Sequence, residues 1–241
     1  QSQPSPARRP PPSLSSIEES QFLPSPSVDT SSWRFVLSNL SPRAKSVVPG
    51  WVSSLACLGL HPRVDSTVSH VLVSTEGGER LAVRTLKYLQ AVASGLLVVS
   101  EQWVLECLRD SSSLGRALDW EVRDEELEGE EGPRRAREGR QGQEAALLQG
   151  YEVLVAGDLE GLARGAVEDL LARVGARAVT DLGSFSFSGG VTRLSLVDSQ
   201  EAMEGREREV LQLLRAYKVA TVEKDWLLDT ICSHQVRPIA G

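Results

Sequence analysis

The chain has 241 residues, of which 41% are hydrophobic and 24% charged, with a formal net charge of -7. That apolar fraction is enough to fill the core of one large domain or two ordinary ones. The acidic balance disfavours a general nucleic-acid surface and leaves room only for a local basic pocket. No apolar run approaches the roughly eighteen residues of a membrane span, and no signal peptide opens the chain, so a soluble protein with no membrane partner is expected. The one methionine, Met203, points to the C-terminal piece of a longer protein. Cys57, Cys107 and Cys232 are odd in number, far apart and on apolar helix faces, which fits reduced thiols rather than disulfides.

Residues 1–32 are rich in proline and serine, with Pro10, Pro11 and Pro12 in a row, and read as a disordered tail. Ser2-Gln3, Ser20-Gln21, Ser5-Pro6 and Ser25-Pro26 are short dipeptides of the kind kinases use. From Trp33 the pattern changes. A strand is expected over 34–37, a polar turn at Ser38-Asn39-Leu40-Ser41, and a helix from Pro42 to Gly59 with Val47, Val48, Trp51, Leu55 and Leu58 inward. Two short strands follow at 64–68 and 70–73. The stretch from Ala82 to Trp103 organises the rest: a helix with Leu86, Leu89 and Ala93 on one stripe, a break at Ser94-Gly95, a strand at 96–99, and a helix capped by Ser100. Arg84 and Lys87, three apart, are expected on a shared face, where two like charges repel unless an anion lies near.

Residues 119–149 read as a solvated charged linker, including Arg134, Arg135, Arg137 and Arg140 among acidic residues. Then the first pattern returns. Strands are expected at 151–156, 178–181, 192–197 and 219–220, and helices at 162–174, 207–216 and 223–232. VVSEQWVLEC in one half answers ATVEKDWLLDTIC in the other. The chain therefore divides into a unit at 33–118, the linker, and a second unit at 150–241, each an alternation that predicts a small parallel sheet covered on both faces.

The glycine-ended first helix, the tryptophans Trp103 and Trp226, and the segments VRTLKYL, GLLVVSEQWV and GPRRARE resemble the tandem BRCT repeat family, from about Trp33 onward. The resemblance implies an α/β fold of two BRCT repeats, each a four-stranded parallel sheet flanked by helices, joined through a helical interface. It also implies a binding module that reads phosphoserine with phenylalanine three residues on. The phosphate ligands it implies are Ser38, the backbone N-H of Asn39, and Lys87. Asn39 stands where the family usually has glycine. The resemblance places the aromatic slot and the peptide main-chain contact at Arg84, Leu86, Leu89, Leu162, Leu228, Asp225 and Asp229. A closely resembling family member carries larger phenylalanine and methionine at Leu89 and Leu162. Phosphorylated repair and checkpoint proteins, such as Abraxas, the CtBP-interacting protein and a repair helicase, are the implied partners. The implied setting is the nucleus, with a monomeric fragment, no cofactor, and DNA contact indirect or weak. In the resembled protein the ubiquitin-ligase activity belongs to a RING domain that this sequence does not contain.

The residues support the same chemistry. A phosphoserine carries nearly two negative charges and three acceptor oxygens, so it needs a cation, a hydroxyl and a free N-H converging from different elements. In the second unit Ala156 and Val210 stand where Ser38 and Lys87 stand in the first, so only one copy is equipped. Charge-assisted bonds of roughly 1.5 to 3 kcal/mol each, set against the ordering of a flexible peptide, predict a dissociation constant on the order of micromolar. An enzyme is the competing class, but no G-x-S-x-G, GxxxxGK or dinucleotide fingerprint is present, and His61, His70 and His234 have no metal-ligand spacing. DNA-end binding or a purely structural tandem repeat remain the alternatives.

Overall fold

The computed structural model describes residues 28–76, 80–186, 189–198 and 215–239. The first strand, β1 (Arg34–Ser38), lies inside a sheet of order β2-β1-β3-β6, with β2 at Gly59–Leu60, β3 at His70–Val73 and β6 at Leu97–Ser100. Every pairing in it is parallel. Helices α1 (Pro42–Ser54) and α2 (Leu86–Ala93) provide crossovers, α3 (Glu101–Cys107) follows β6, and the three cover its faces. Each begins on a hydroxyl cap, from Ser41, Thr85 and Ser100 respectively, which accepts a backbone N-H in the first turn. A small antiparallel and parallel ribbon, β4 (Thr75–Glu76), β5 (Leu81–Ala82) and β7 (Arg123–Asp124), joins the first unit to the connector.

The second sheet has the order β11-β10-β8-β9, again all parallel, from β8 (Tyr151–Val155), β9 (Arg177–Val179), β10 (Thr192–Val197) and β11 (Ala220–Glu223). Helix α5 (Arg164–Arg173) follows β8, and helix α6 (Lys224–Ser233) closes the unit. Two four-stranded parallel sheets flanked by helices are what the alternation of elements predicts. The tail up to residue 27, the bulk of the helix expected at 207–216, and Val210 fall outside the described residues.

Three expectations are corrected. Val64 and Val68 are buried but form no strand; the Asp65 carboxylate accepts the Thr67 N-H at 2.8 Å and turns the chain, and Gly59–Leu60 takes the edge position beside β1. Val28–Ser32 is not tail: Thr30 is buried, and its hydroxyl donates to the Ala56 carbonyl at 3.1 Å. The stretch read as a solvated linker is largely built into the fold. It holds a 3-10 segment, Ser111–Trp120, that starts before it, then β7, and helix α4 (Gly132–Gln141), in which Gly132, Pro133, Ala136 and Gly139 are buried. A count of apolar residues misses it because small residues and paired charges do the packing. Arg137 makes two 2.8 Å bonds to Glu121, which is itself buried.

One apolar core runs through both units, joining Tyr88, Leu89, Val92 and Ala93 of α2 to Val167, Leu170 and Leu171 of α5 and Leu227 and Ile231 of α6. Helix α2 packs on α4, α5 and α6 at once. Gly132 lets α4 begin directly against the end of α6, since a Cβ there would overlap the Cys232 carbonyl. Polar bonds fix the register: Gln90 donates to Asp169 at 2.7 Å, and Arg173 donates to the Ser94 hydroxyl at 2.8 Å.

A second, aromatic core fills the other face of the first sheet. His70 lies 5.8 Å from Trp103 in a stacked arrangement and 4.5 Å from Trp33, with Phe35 at 5.1 Å. Burial lowers its pKa to about 4. In the unfolded chain the imidazole takes up a proton near 6.5, so between the two values the unfolded state holds more protons and stability rises with pH. The contribution is complete above pH 6.5 and is lost as pH falls toward 4. We expect urea unfolding at about pH 5 to show a stability about 2 kcal/mol below that at about pH 7, beyond any change in a His70→Phe variant. Equal pH dependence in the two proteins refutes this.

Candidate functional site

Ser38 ends β1, and Asn39 follows in the left-handed region at φ 49°. That conformation suits asparagine better than most side chains and turns the chain so that its backbone leaves the sheet edge. The turn is pinned from below: the Ser41 N-H donates to the buried carboxylate of Glu101 at 2.8 Å. Thr85, the cap of α2, comes to the same place. Its hydroxyl accepts the Tyr88 N-H at 3.1 Å and lies 2.6 Å from the Ser38 hydroxyl. Lys87 reaches across from the first turn of α2 and donates to the carbonyl of Leu37, the residue before Ser38, at 2.9 Å. Ser38, Asn39 and Lys87, far apart in sequence, thus meet at one end of the sheet.

Between them is a pocket of about 60 Å³ lined by Ser38, Asn39, Val73, Ser74, Val83 and Thr85. Lys87 stands beside it rather than in its wall. The sequence reading missed Thr85 and Ser74. Thr85 had a signal, a hydroxyl residue just before an amphipathic helix.

Arg84 does not share a face with Lys87, because the helix starts after Thr85. Its side chain is only 7% exposed and is surrounded by carboxylates. It makes bonds of 3.0 and 3.1 Å to Asp124 and ion pairs of 2.8 Å to Asp229 and 2.9 Å to Glu126. Burial works against its charge, but the hydrogen bonds and charge of Asp124, the nearby Cys232 and the bond to Asp229 together outweigh it and hold the guanidinium above its ordinary pKa. Asp124 is fully buried and also accepts the Tyr88 hydroxyl at 3.1 Å and the Leu127 N-H at 3.0 Å. Burial first, then the nearby Cys232 and Asp124, push the Tyr88 phenol well up.

Of the two α6 carboxylates, Asp229 orients Arg84; Asp225 is exposed and does not reach it. Leu89 is buried in α2, and Leu162 and Leu228 pack half-buried against the same core. Leu162 precedes α5 instead of lying within it. Leu86 is 39% exposed and faces outward, not into the stripe expected for it. It sits one turn from Leu89, on the surface between the pocket and the α2–α5–α6 junction.

The two units can be compared through their strand partners. Ser38 pairs with Val73 and Val73 with Ser100, immediately before α3; Val197 pairs with Glu223, immediately before α6. Val155 pairs with Leu196, so Ala156 occupies the place of Ser38 and Gly157, at φ 91°, that of Asn39. The backbone turn is repeated and the hydroxyl is not.

This arrangement can be set beside known proteins. Residues 50–108 match the model of the BRCA1 C Terminus (BRCT) domain family. The S. pombe Brc1 BRCT5-BRCT6 structure aligns over 85% of this chain and 94% of its own at TM-score 0.56, with 16% identity. The chain has the tandem BRCT fold. A structure of Rtt107p in complex with a phosphorylated histone covers 88% of this chain and 91% of its own at TM-score 0.54 and 12% identity. In sequence the chain is similar to the breast cancer type 1 susceptibility protein homologue of Mus musculus, 27% identical over 207 residues, or 85% of this chain. It spans 11% of that relative's length. The Arabidopsis thaliana homologue is 22% identical over 83% of the chain and is spanned over 21% of its length.

Removing one partner of a buried pair strands the other charge, at a cost on the order of 3 kcal/mol. Asp124→Ala is therefore expected to lower unfolding free energy by about that amount, with Asp229 and Glu126 softening the loss; a denaturation midpoint equal to wild type contradicts the role assigned to Asp124.

Proposed function

We propose that this tandem BRCT pair is a phosphoserine-peptide-binding scaffold module of a DNA-repair or DNA-damage-response protein, reading phosphoserine with phenylalanine three residues on. The observation that carries the reading is the asymmetry of the two copies. The first has Ser38, Asn39 and Lys87 gathered at a pocket; the second repeats the turn but has Ala156 in place of the hydroxyl. A fold requirement alone would not supply polar ligands to one copy and withhold them from its twin.

The phosphate takes the Ser38 hydroxyl, the Asn39 N-H and the Lys87 ammonium, each of which can turn to it by giving up a single protein partner or none. An extended peptide rises about 3.3 Å per residue, so the third residue on lies roughly 10 Å away. That reach carries its aromatic ring past Leu86 toward Leu89, Leu162 and Leu228. Arg84, locked in place by Asp124 and Asp229, is positioned to meet the peptide main chain there. The phosphorylated histone bound by the similarly folded Rtt107p supports phosphate recognition by this fold as a class. Similarity to the breast cancer type 1 susceptibility homologues supports a nuclear setting and phosphorylated repair and checkpoint partners, with Abraxas, the CtBP-interacting protein and a repair helicase as candidates for testing.

Fluorescence anisotropy with a labelled phosphoserine-x-x-phenylalanine peptide and its unphosphorylated twin tests the reading. Wild type should prefer the phosphorylated form, and Lys87→Met should bind both alike; a wild-type protein indifferent to phosphate overturns the proposal. Leu162→Arg should weaken the peptide by burying a charge at the junction and should lower the melting temperature. Unchanged binding and melting in that variant would remove Leu162 from the slot.

A further inference from the structure

Of the polar side chains around the pocket in the first sheet, most are already held. The Ser38 hydroxyl is bonded to Thr85, Thr85 also caps α2, and Lys87 is bonded to the Leu37 carbonyl. Ser74 is different. It follows β3 directly, is half-buried, and lines the pocket with Ser38, Asn39, Val83 and Thr85. Its hydroxyl makes no hydrogen bond among the described residues. A half-buried hydroxyl with no protein partner among the described residues, in the wall of a cavity that Ser38, Asn39 and Thr85 also line, is a donor open to an acceptor.

The second unit shows what the same place does when phosphate is not the guest. By the strand pairing above, Val197 answers Val73, so Asp198 answers Ser74. Asp198 accepts from Lys224 at 2.9 Å and from the Glu160 N-H at 2.8 Å. The Lys224 ammonium first, then the Glu160 N-H, hold its carboxyl below the usual range. The second copy thus fills this position with a fixed negative charge that uses up its local donors, whereas the first leaves a neutral, unengaged hydroxyl.

We infer that Ser74 is a further phosphate ligand: its hydroxyl donates to a phosphoryl oxygen on the side of the pocket opposite Ser38, and its neutrality is a condition for the dianion to enter. The inference rests on the phosphopeptide reading above. Val83, 46% exposed, supplies the apolar lip beside it and offers no competing donor.

The test uses the full chain, the synthetic phosphoserine-x-x-phenylalanine peptide and its unphosphorylated twin. Ser74→Ala should weaken binding of the phosphorylated peptide roughly tenfold, as expected for loss of a hydrogen bond to a charged group, and leave the unphosphorylated one unchanged. Ser74→Asp, which installs the second copy's carboxylate, should abolish the preference altogether, while circular dichroism and melting stay as in wild type. Wild-type discrimination that persists undiminished in Ser74→Ala, or survives in Ser74→Asp, overturns the role of Ser74 alone. Absence of discrimination in the wild-type protein overturns the pocket reading and this inference with it.

Discussion

The ion pair of Arg84 with Asp124 is the contact on which the arrangement depends. A guanidinium and a carboxylate both withdrawn from water are tolerable only when each is bonded on nearly every side. Here the carboxylate also accepts Tyr88 and a backbone N-H, and the guanidinium also meets Asp229 and Glu126. The groups that meet here come from the approach to α2 and its first turn, from the connector and from α6. A single buried charge pair therefore ties together three pieces of chain that apolar packing alone would allow to slide. It also fixes the orientation of the Arg84 side chain.

Helix α2 carries this fixed geometry from one end of the first sheet to the junction of the two units. Its N-terminal turn carries Thr85 and Lys87 to the pocket, its middle carries Leu89 to the junction, and its end is tied through Ser94 to Arg140 and Arg173. Pocket and junction are thus two stations on one rigid rod. Separation between them is set by the rise of a helix, not by the flexibility of a loop, as the proposed two-anchor reading requires.

Much of this is legible in the sequence, and the parts that are not share a cause. Alternating strands and helices and the repeat follow from apolar periodicity; Ser38, Lys87 and the leucines of the junction are singled out by the family resemblance. What periodicity does not see is burial by pairing. Asp124 and Glu121 sit in a run of charges that reads as solvated, yet both are buried because an arginine satisfies each, Arg84 from outside the run and Arg137 from within it. Val64 and Val68 show the converse: β-branched residues in a short run suggest a strand, but an aspartate turn takes the backbone and leaves only the side chains in the core. Ser74 carries no local signal; its interest appears only when strand pairing sets it beside Asp198.

The shared core has a consequence for how damage spreads. Tyr88, Leu89, Val92 and Ala93 belong to the first unit, but the residues that cover them, Leu227 and Ile231 among them, arrive with the last helix. A chain ending before Lys224 would keep every strand of the first sheet and still leave wet the part of α2 that α6 covers. A lesion far downstream would thus be felt at the amino-terminal unit, making the final helix a keystone for a structure completed long before it emerges.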